Sequence, residues 1–404
     1  MKITLIAPTY LPARRANSIQ VMKMAQALDV LGHEVCVTVP ESQPGLPHSG
    51  SEREWDTLAH HYGLHRKFSV IWLPANQYFK RYDYAYQAVR YAQQWGADIL
   101  YTRLPQAATL ASITGKPVIL EMHDLPHGVG GPWMFRLFIR GRGKRRIVVI
   151  SQVLANDLAL RYKISKQAPF LLVAPDGVDL IRYENLPGVE EARKLLIDLL
   201  SKTGQCVLAR SIPSQGFIAG YTGHLYPGRG MAMLQSLARQ LPQVTFLIVG
   251  GEPTQVNKYQ TDIALKKIEN MVFTGFIPNS DLPLYQAVCN LLLMPYQSQV
   301  SASSGGDIAR YLSPMKLFEY LACGRAIISS DLPVLKEVLN LNNSIQLPPD
   351  DVDAWVNAIR TMIINDTLRE KLAAQAKKDA QKYSWEQRAE QIINGIINLS
   401  DDKH

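Results

Sequence analysis

Residues 311–339 read YLSPMKLFEYLACGRAIISSDLPVLKEVL, and their hydrophobic pattern decides the fold. A loop enters a helix at Ser313-Pro314, proline being suited to a first helical turn. The helix is expected over Pro314–Ala322. Gly324 stops it, and the apolar run Ala326–Ser329 follows as a strand. A helix feeding straight into a short, wholly apolar strand belongs to an α/β unit whose parallel strands are covered on both faces. The segment also carries chemistry. Free backbone N–H groups at the helix start make an anion site, and the helix dipole adds to it. Lys316, one turn in, supplies a positive charge, and Glu319, three residues on, could accept hydrogen bonds from a ribose. Read alone, the segment fits an ordinary capped amphipathic helix with Glu319 in solvent equally well.

Outward from this segment the same alternation recurs. On its N-terminal side, strands are expected at Phe217–Tyr221, Thr245–Val249, Met271–Thr274 and Leu291–Met294, with helices at Gly230–Gln240 and Asp281–Val288. A helix at Asp351–Ile364 follows it, and Ser384–Leu399 makes a last amphipathic helix with Ser384 as its cap. The first half alternates in the same way. Its strands are expected at Ile3–Ala7, Glu34–Val39, Ser69–Leu73, Ile99–Tyr101, Val118–Glu121, Ile147–Ile150 and Phe170–Val173. Its helices are expected at Ser18–Leu31, Tyr82–Trp95 and Ser151–Tyr162. Between the halves, Glu184–Gln215 holds one charged helix around Glu190–Leu200 and a polar stretch, and reads as a connection. The expected division is therefore two doubly wound α/β domains, 1–183 and 216–382, joined by 184–215, with 383–404 as a terminal helix packing back toward the first domain.

Composition limits the function. The 404 residues are 47% hydrophobic, enough for large cores. No apolar run reaches the length of a membrane-spanning helix. The opening MKITLIAPTY stops being apolar at Pro8 and reads as a buried strand rather than a signal peptide. The four cysteines, Cys36, Cys206, Cys289 and Cys323, form no C-x-x-C pair, so neither zinc nor a disulfide framework is expected and a reducing cytoplasm fits. The net charge of +8 lies wholly in residues 1–180, which hold 21 Lys+Arg against 13 Asp+Glu. Arg136, Arg140, Arg142, Lys144, Arg145 and Arg146 form its densest cluster, beside Trp133, Phe135 and Phe138. Such a patch suits phosphate, nucleic acid or anionic lipid, or is simply a solvated loop. No nucleic-acid motif accompanies it, and aromatics do not interleave with the basic run as a base-stacking surface requires, so no nucleic acid is expected. An anionic membrane surface is the favoured partner, with Trp133, Phe135 and Phe138 expected at the headgroup boundary.

Two further patterns mislead. Gly223-x4-Gly228-Arg229-Gly230 nearly spells a P-loop but lacks the Lys and Ser/Thr that a Walker site needs. Asp351-Val352-Asp353 has a metal-binding form, yet it directly precedes a helix and is expected to cap it. No catalytic metal or other cofactor is expected.

Six motifs in order resemble those of the family 4 retaining glycosyltransferases. The run FEYLACGRAIISSDLP is similar to the family's E-x-x-A-x-G-x-P-V-I-x-S donor signature. Asp176-Gly177-Val178-Asp179 resembles its N-G-V-D. Gly220-Tyr221-Thr222-Gly223 with Gly228-Arg229-Gly230 resembles its phosphate loop, and Phe273–Ile277 its base-binding F-x-G-x-V. Glu121–Asp124 resembles its strand ending in His-Asp, and Tyr383-Ser384-Trp385 its late S-W. The resemblance implies a GT-B fold, two Rossmann-like domains facing across a cleft, with the acceptor on the N-terminal domain and a nucleotide sugar, UDP- or GDP-linked, on the C-terminal one. It implies donor contacts from Gly223, His224, Arg229, Gly275, Ile277, Ser313, Pro314, Met315, Lys316 and Glu319. His123, Arg229 and Glu319 would be catalytic. Arg14, Arg15, Asn17, Ser18, Arg103 and Asp124 would serve a glycan, lipid-linked or phosphorylated acceptor. The resemblance further implies retention by attack on the leaving group's own face, without a metal.

The chain departs from the pattern in places. The first of the family's two glutamates falls on Tyr311, leaving Asp307 or backbone groups near Ser313 to take its place. His224 stands for the usual phosphate-loop Arg, and Arg229 for the usual Lys. Arg14 and Arg15 make the N-terminal loop unusually basic. The missing glutamate motivates the alternatives of a nucleotide-sugar epimerase or a binding protein on the same fold. On residue type alone, His123 is a packed side chain more often than a catalyst, and Arg103 reads either as an acceptor contact or as half of an ion pair.

Overall fold

The structure is a computed structural model that describes residues 1–41, 50–79, 81–301 and 306–399. The chain forms two compact units, Met1–Gly177 together with the residues from Trp385 on, and Val178–Ser384.

The first unit holds seven strands: β1 Lys2–Ile6, β2 Glu34–Pro40, β3 Ser69–Leu73, β4 Ile99–Thr102, β5 Val118–Met122, β6 Arg145–Val149 and β7 Leu171–Val173. All pair in parallel, in the order β3-β2-β1-β4-β5-β6-β7. The central strands are buried on both faces, as their unbroken apolar runs require, with Ile3, Val37 and Ile119 fully inaccessible. The order reverses between β1 and β4, the place where ligands of open α/β sheets collect.

The second unit repeats the plan with β8 Phe217–Thr222, β9 Val244–Val249, β10 Met271–Gly275, β11 Leu291–Met294, β12 Ala326–Ser330 and β13 Ile345–Leu347. Their order is β10-β9-β8-β11-β12-β13, again parallel, with its reversal between β8 and β11. The segment 311–339 folds as read, as helix Met315–Cys323, Gly324 with φ of 62°, then β12.

Several elements escape the sequence reading. The three-residue edge strand β13 is too short to show a period. The helices Pro105–Ile113 and Gly131–Ile139 open on Pro or Gly-Pro, which reads as a loop. The stretch 184–215 is not a mere connection. Its helix Val189–Lys202 buries Ala192, Leu196 and Leu200 in the second unit's core beside Leu292 and Phe318. The terminal helix Trp385–Ile397 packs against Ala16–Val30 of the first unit. Asp351 caps the helix Val352–Ile364, its carboxylate accepting from the Ala354 amide at 2.9 Å.

Candidate functional site

In the second unit the expected donor residues converge at the C-terminal ends of β8 to β12. Gly223 follows β8 with φ of 131°, and a Cβ there would meet Lys316 Nζ at 2.9 Å. The positive φ, more than the contact with a flexible lysine end, is what favours glycine here. Gly230 is equally constrained, because a Cβ would lie 2.1 Å from the Pro295 carbonyl. These two positions let the 223–230 loop fold tightly around the strand ends.

Two cations and two tyrosines face one another in this hollow. Lys316, 8% exposed, sets its ammonium 3.7 Å above the Tyr221 ring and 5.2 Å from that of Tyr296, without a hydrogen bond to any described residue. Burial, and then the nearby Arg229 charge, hold its pKa well below the ordinary lysine value, against the pull of Glu319. Arg229 donates to the Tyr296 hydroxyl at 3.1 Å and lies over the same ring. His224 stacks on Tyr226 at 4.9 Å. The helix Met315–Cys323 begins at Pro314 with no side-chain cap, so its first amides lack a side-chain acceptor. Glu319 receives a hydrogen bond from Gln286 Nε2 at 3.2 Å, and the same amide reaches Thr222 Oγ1. Gly275 ends β10 with φ of 71°, its carbonyl accepting from Gly250, and Ile277 packs on the core. Asp307 uses its Oδ1 to hold the Val300 and Ala309 amides, at 2.8 and 2.9 Å. It therefore fixes its own loop. Tyr311, at the position of the missing glutamate, is buried.

In the first unit a cavity of about 930 Å³ opens at the ends of β1, β4 and β5, lined by Tyr10, Arg81, Tyr82, Arg103, His123, Asp124, Val129 and Met134 among others. His123 stands one residue past β5, its side chain 23% exposed, and shares a 2.6 Å hydrogen bond between Nε2 and Glu121 Oε1. Burial, then the Arg103 charge, push its pKa down to about 4. Arg103 donates to Gln20 Oε1 at 3.4 Å and reaches the cavity wall. Asp124 accepts from the Leu125 amide and is exposed.

The N-terminal loop is partly structural. The Ser18 hydroxyl is buried and donates to the Ala13 and Arg15 carbonyls, so it braces the turn and presents no free group to an acceptor. Arg14 and Arg15 are exposed, and Asn17 is half-buried.

The basic cluster is also split by the fold. Phe135 and Phe138 are core residues, so the expectation that they meet a membrane is corrected: the helix Gly131–Ile139 turns them inward to satisfy its apolar stripe. Arg146 lies in β6, buried against Gly395, and Arg145 donates to the Gly141 carbonyl. Arg136, Arg140 and Arg142 remain exposed, beside an exposed Trp133.

The sequence reading gave no role to Tyr221, Tyr296 or the buried Arg388. The signal for Arg388 was present, since it occupies the apolar face of the last helix with Trp385, Ala389 and Ile392. Glu121, His123 and Asp176 bring ligand-type atoms within 4.8 Å of one another. Arg388 and Arg103 supply opposing charge there.

Comparison with known proteins bears on the family and the fold. Residues 216–365 match the family described as glycosyl transferases group 1, and residues 18–182 match glycosyltransferase family 4. The phosphatidyl-myo-inositol mannosyltransferase of Mycolicibacterium smegmatis is 23% identical over 99% of this chain and 94% of its own. The D-inositol 3-phosphate glycosyltransferase of Jonesia denitrificans is 24% identical over 62% of this chain and 59% of its own. The crystal structure of Anabaena HepE with UDP-glucose superposes with a TM-score of 0.70 at 18% identity, over 99% of this chain and 100% of that one. A glycosyltransferase from Rickettsia africae gives 0.72 at 15%, over 99% of both chains. The two structures share the fold.

Proposed function

For a chain that belongs to the group 1, family 4 glycosyltransferases, we propose a retaining, metal-independent transfer of a sugar from a uridine or guanosine diphosphate sugar to a lipid-linked, glycan or phosphorylated acceptor. The observation that carries this reading is the pairing of a buried Lys316 with a half-buried Arg229 beside an uncapped helix N-terminus at the β8/β11 reversal. Breaking the bond from the anomeric carbon to the diphosphate builds negative charge on the leaving group. Fixed cations and amides in a dry site stabilise that charge without reorganising. Lys316 carries an ammonium with no hydrogen-bonding partner among the described residues, and a phosphate oxygen supplies one. Arg229 is already oriented by Tyr296. Glu319, held by Gln286, accepts from the ribose hydroxyls, and the base lies against Gly275–Ile277. With two cations at the leaving group, the charge needs no divalent ion.

The acceptor enters the first unit's cavity, where Arg81, Arg103 and His123 line the wall. A lipid-linked acceptor favours peripheral docking on an anionic membrane. The exposed side chains near the cavity mouth support this. Tyr82 and Val129 line the cavity and are exposed, Tyr78, Phe79, Tyr86 and Trp133 lie close in sequence, and Arg136, Arg140 and Arg142 are basic neighbours. Aromatic rings with arginines suit the headgroup region. Among the described residues no helix is long and apolar enough to cross a membrane.

The test is incubation of the full chain with labelled UDP- and GDP-sugars in excess chelator, with and without an acceptor lipid extract. Transfer or slow donor hydrolysis with a retained anomeric configuration supports the reading. A changed sugar epimer assigns an epimerase, and binding without turnover assigns a binding protein.

A further inference from the structure

The His123–Glu121 pair rests on a buried polar cluster that reaches to the far end of the chain. Glu121 is 2% exposed and lies within β5. Its carboxylate receives hydrogen bonds from Gln20 Nε2 at 2.5 Å and from the Tyr101 hydroxyl, and it pairs with Arg388 Nη2 at 3.1 Å. Arg388, 5% exposed, comes from the last helix. It is fixed by the Pro175 and Ala174 carbonyls at 2.8 and 3.2 Å and by the Tyr101 hydroxyl at 3.1 Å. The groups hydrogen-bonded or paired to the carboxylate from Gln20, Tyr101 and Arg388 are all donors, and His123 shares a further bond with it.

We propose that Glu121 and Arg388 are positioning residues that hold His123 as the neutral imidazole with its proton on Nε2, so that Nδ1 offers a lone pair to the cavity and accepts a hydroxyl hydrogen of the bound sugar or acceptor. An ionised carboxylate only accepts hydrogen bonds, so the ring nitrogen facing it at 2.6 Å must carry the hydrogen. A neutral ring then leaves Nδ1 bare. No described protein atom bonds Nδ1, and the ring lines the cavity. Burial alone would raise the Glu121 carboxyl, but Arg388 and then His123 outweigh it and hold it well below the carboxylate range. His123 is kept neutral by burial and by Arg103, with Arg388 adding to this, while Glu121 pulls the other way. Asp176, its own pKa raised to about 7 mainly by burial, is the remaining acid of the cluster. The arrangement makes His123 an acceptor toward a hydroxyl and excludes it as the cation for a diphosphate. That role rests on the proposed transferase reading, in which a hydroxyl-bearing substrate enters this cavity.

The experiment is nitrogen-15 NMR on the full chain with labelled histidine, with the His123 signals among the nine histidines assigned by loss in His123→Gln. We expect a protonated-type Nε2 and an unprotonated-type Nδ1, unchanged from neutral pH down to about 5. A proton on Nδ1, or titration near the ordinary histidine pKa, overturns the proposal. In Glu121→Gln the amide can offer its own N–H, and the tautomer should become mixed. Transfer kcat/KM should fall roughly tenfold while UDP affinity, read in the other unit, stays unchanged. If Glu121→Gln does not fold because it strands Arg388, the double variant Glu121→Gln/Arg388→Met removes both charges and should show the same mixed tautomer. A tautomer unchanged in that fold-competent double variant overturns the proposal. Loss of UDP binding in the wild type counts against the transferase reading alone, since the tautomer is measured without nucleotide.

Discussion

Replacing Lys316 with Met separates ligand binding from fold stability, because the two should move in opposite directions. In the free protein the Lys316 ammonium is buried, makes no hydrogen bond to the described residues, and is compensated by the ring faces of Tyr221 and Tyr296 and by the attraction of Glu319. A buried cation–π contact is worth about 2 kcal/mol, less than the cost of leaving an ammonium without donors satisfied. The folded pKa lies below the unfolded value of 10.5. The unfolded chain therefore binds more protons in the window between the two values. Stability should rise with pH through that window, the lysine penalty being fully present below it and gone above the unfolded value. Methionine fills much the same volume without the charge, so Lys316→Met should keep or raise the melting temperature and remove that slope. Binding should suffer. A charge-assisted hydrogen bond to phosphate contributes about 1.5–3 kcal/mol, so the variant should bind UDP or GDP roughly 10- to 150-fold more weakly by calorimetry, with uridine or guanosine unaffected. Wild-type binding should also take up protons, seen as an enthalpy that depends on the buffer. Unchanged nucleotide diphosphate affinity, or equal losses for nucleoside and diphosphate, would refute the phosphate role.

Four further outcomes follow from the same geometry. Glu319→Ala should weaken UDP or GDP binding about tenfold or more and leave inorganic pyrophosphate binding intact, as read by calorimetry. Arg229→Ala should lower turnover about a hundredfold or more without changing which sugar is preferred, measured by product release; nearly intact turnover assigns the leaving group to other residues. Chelator should leave turnover unchanged, and restoration by added magnesium after its loss would contradict a cation pair sufficient on its own. The wild type should float with anionic vesicles at low salt and be released by added salt. Arg136→Ser/Arg140→Ser/Arg142→Ser, with Trp133→Ser, should abolish flotation while donor hydrolysis persists, and a wild type that ignores such vesicles points to a soluble acceptor.

Much of the fold is legible in the sequence because burial on both faces of a parallel sheet demands unbroken apolar runs. That demand places β11 at Leu291–Met294 directly, every residue of it being buried. The proposed donor residues are legible for a related reason. Gly223, Arg229, Lys316 and Glu319 sit at fixed offsets from strand ends and helix starts, so local order alone nearly fixes their positions. What the sequence could not show depends on pairs of residues far apart in the chain. Trp133, Phe135 and Phe138 are alike as letters beside a basic run, and only the helix's rotation against its neighbours sends the two phenylalanines inward and the tryptophan outward. Arg388 reads as an oddity on an apolar face until the terminal helix returns to the first unit and brings it 3.1 Å from Glu121, a carboxylate 267 positions away. Periodicity encodes which face of an element is buried. What that face meets, and hence the charge, tautomer and pKa of the groups there, is decided by tertiary packing, because desolvation and Coulomb forces act through space and not along the chain.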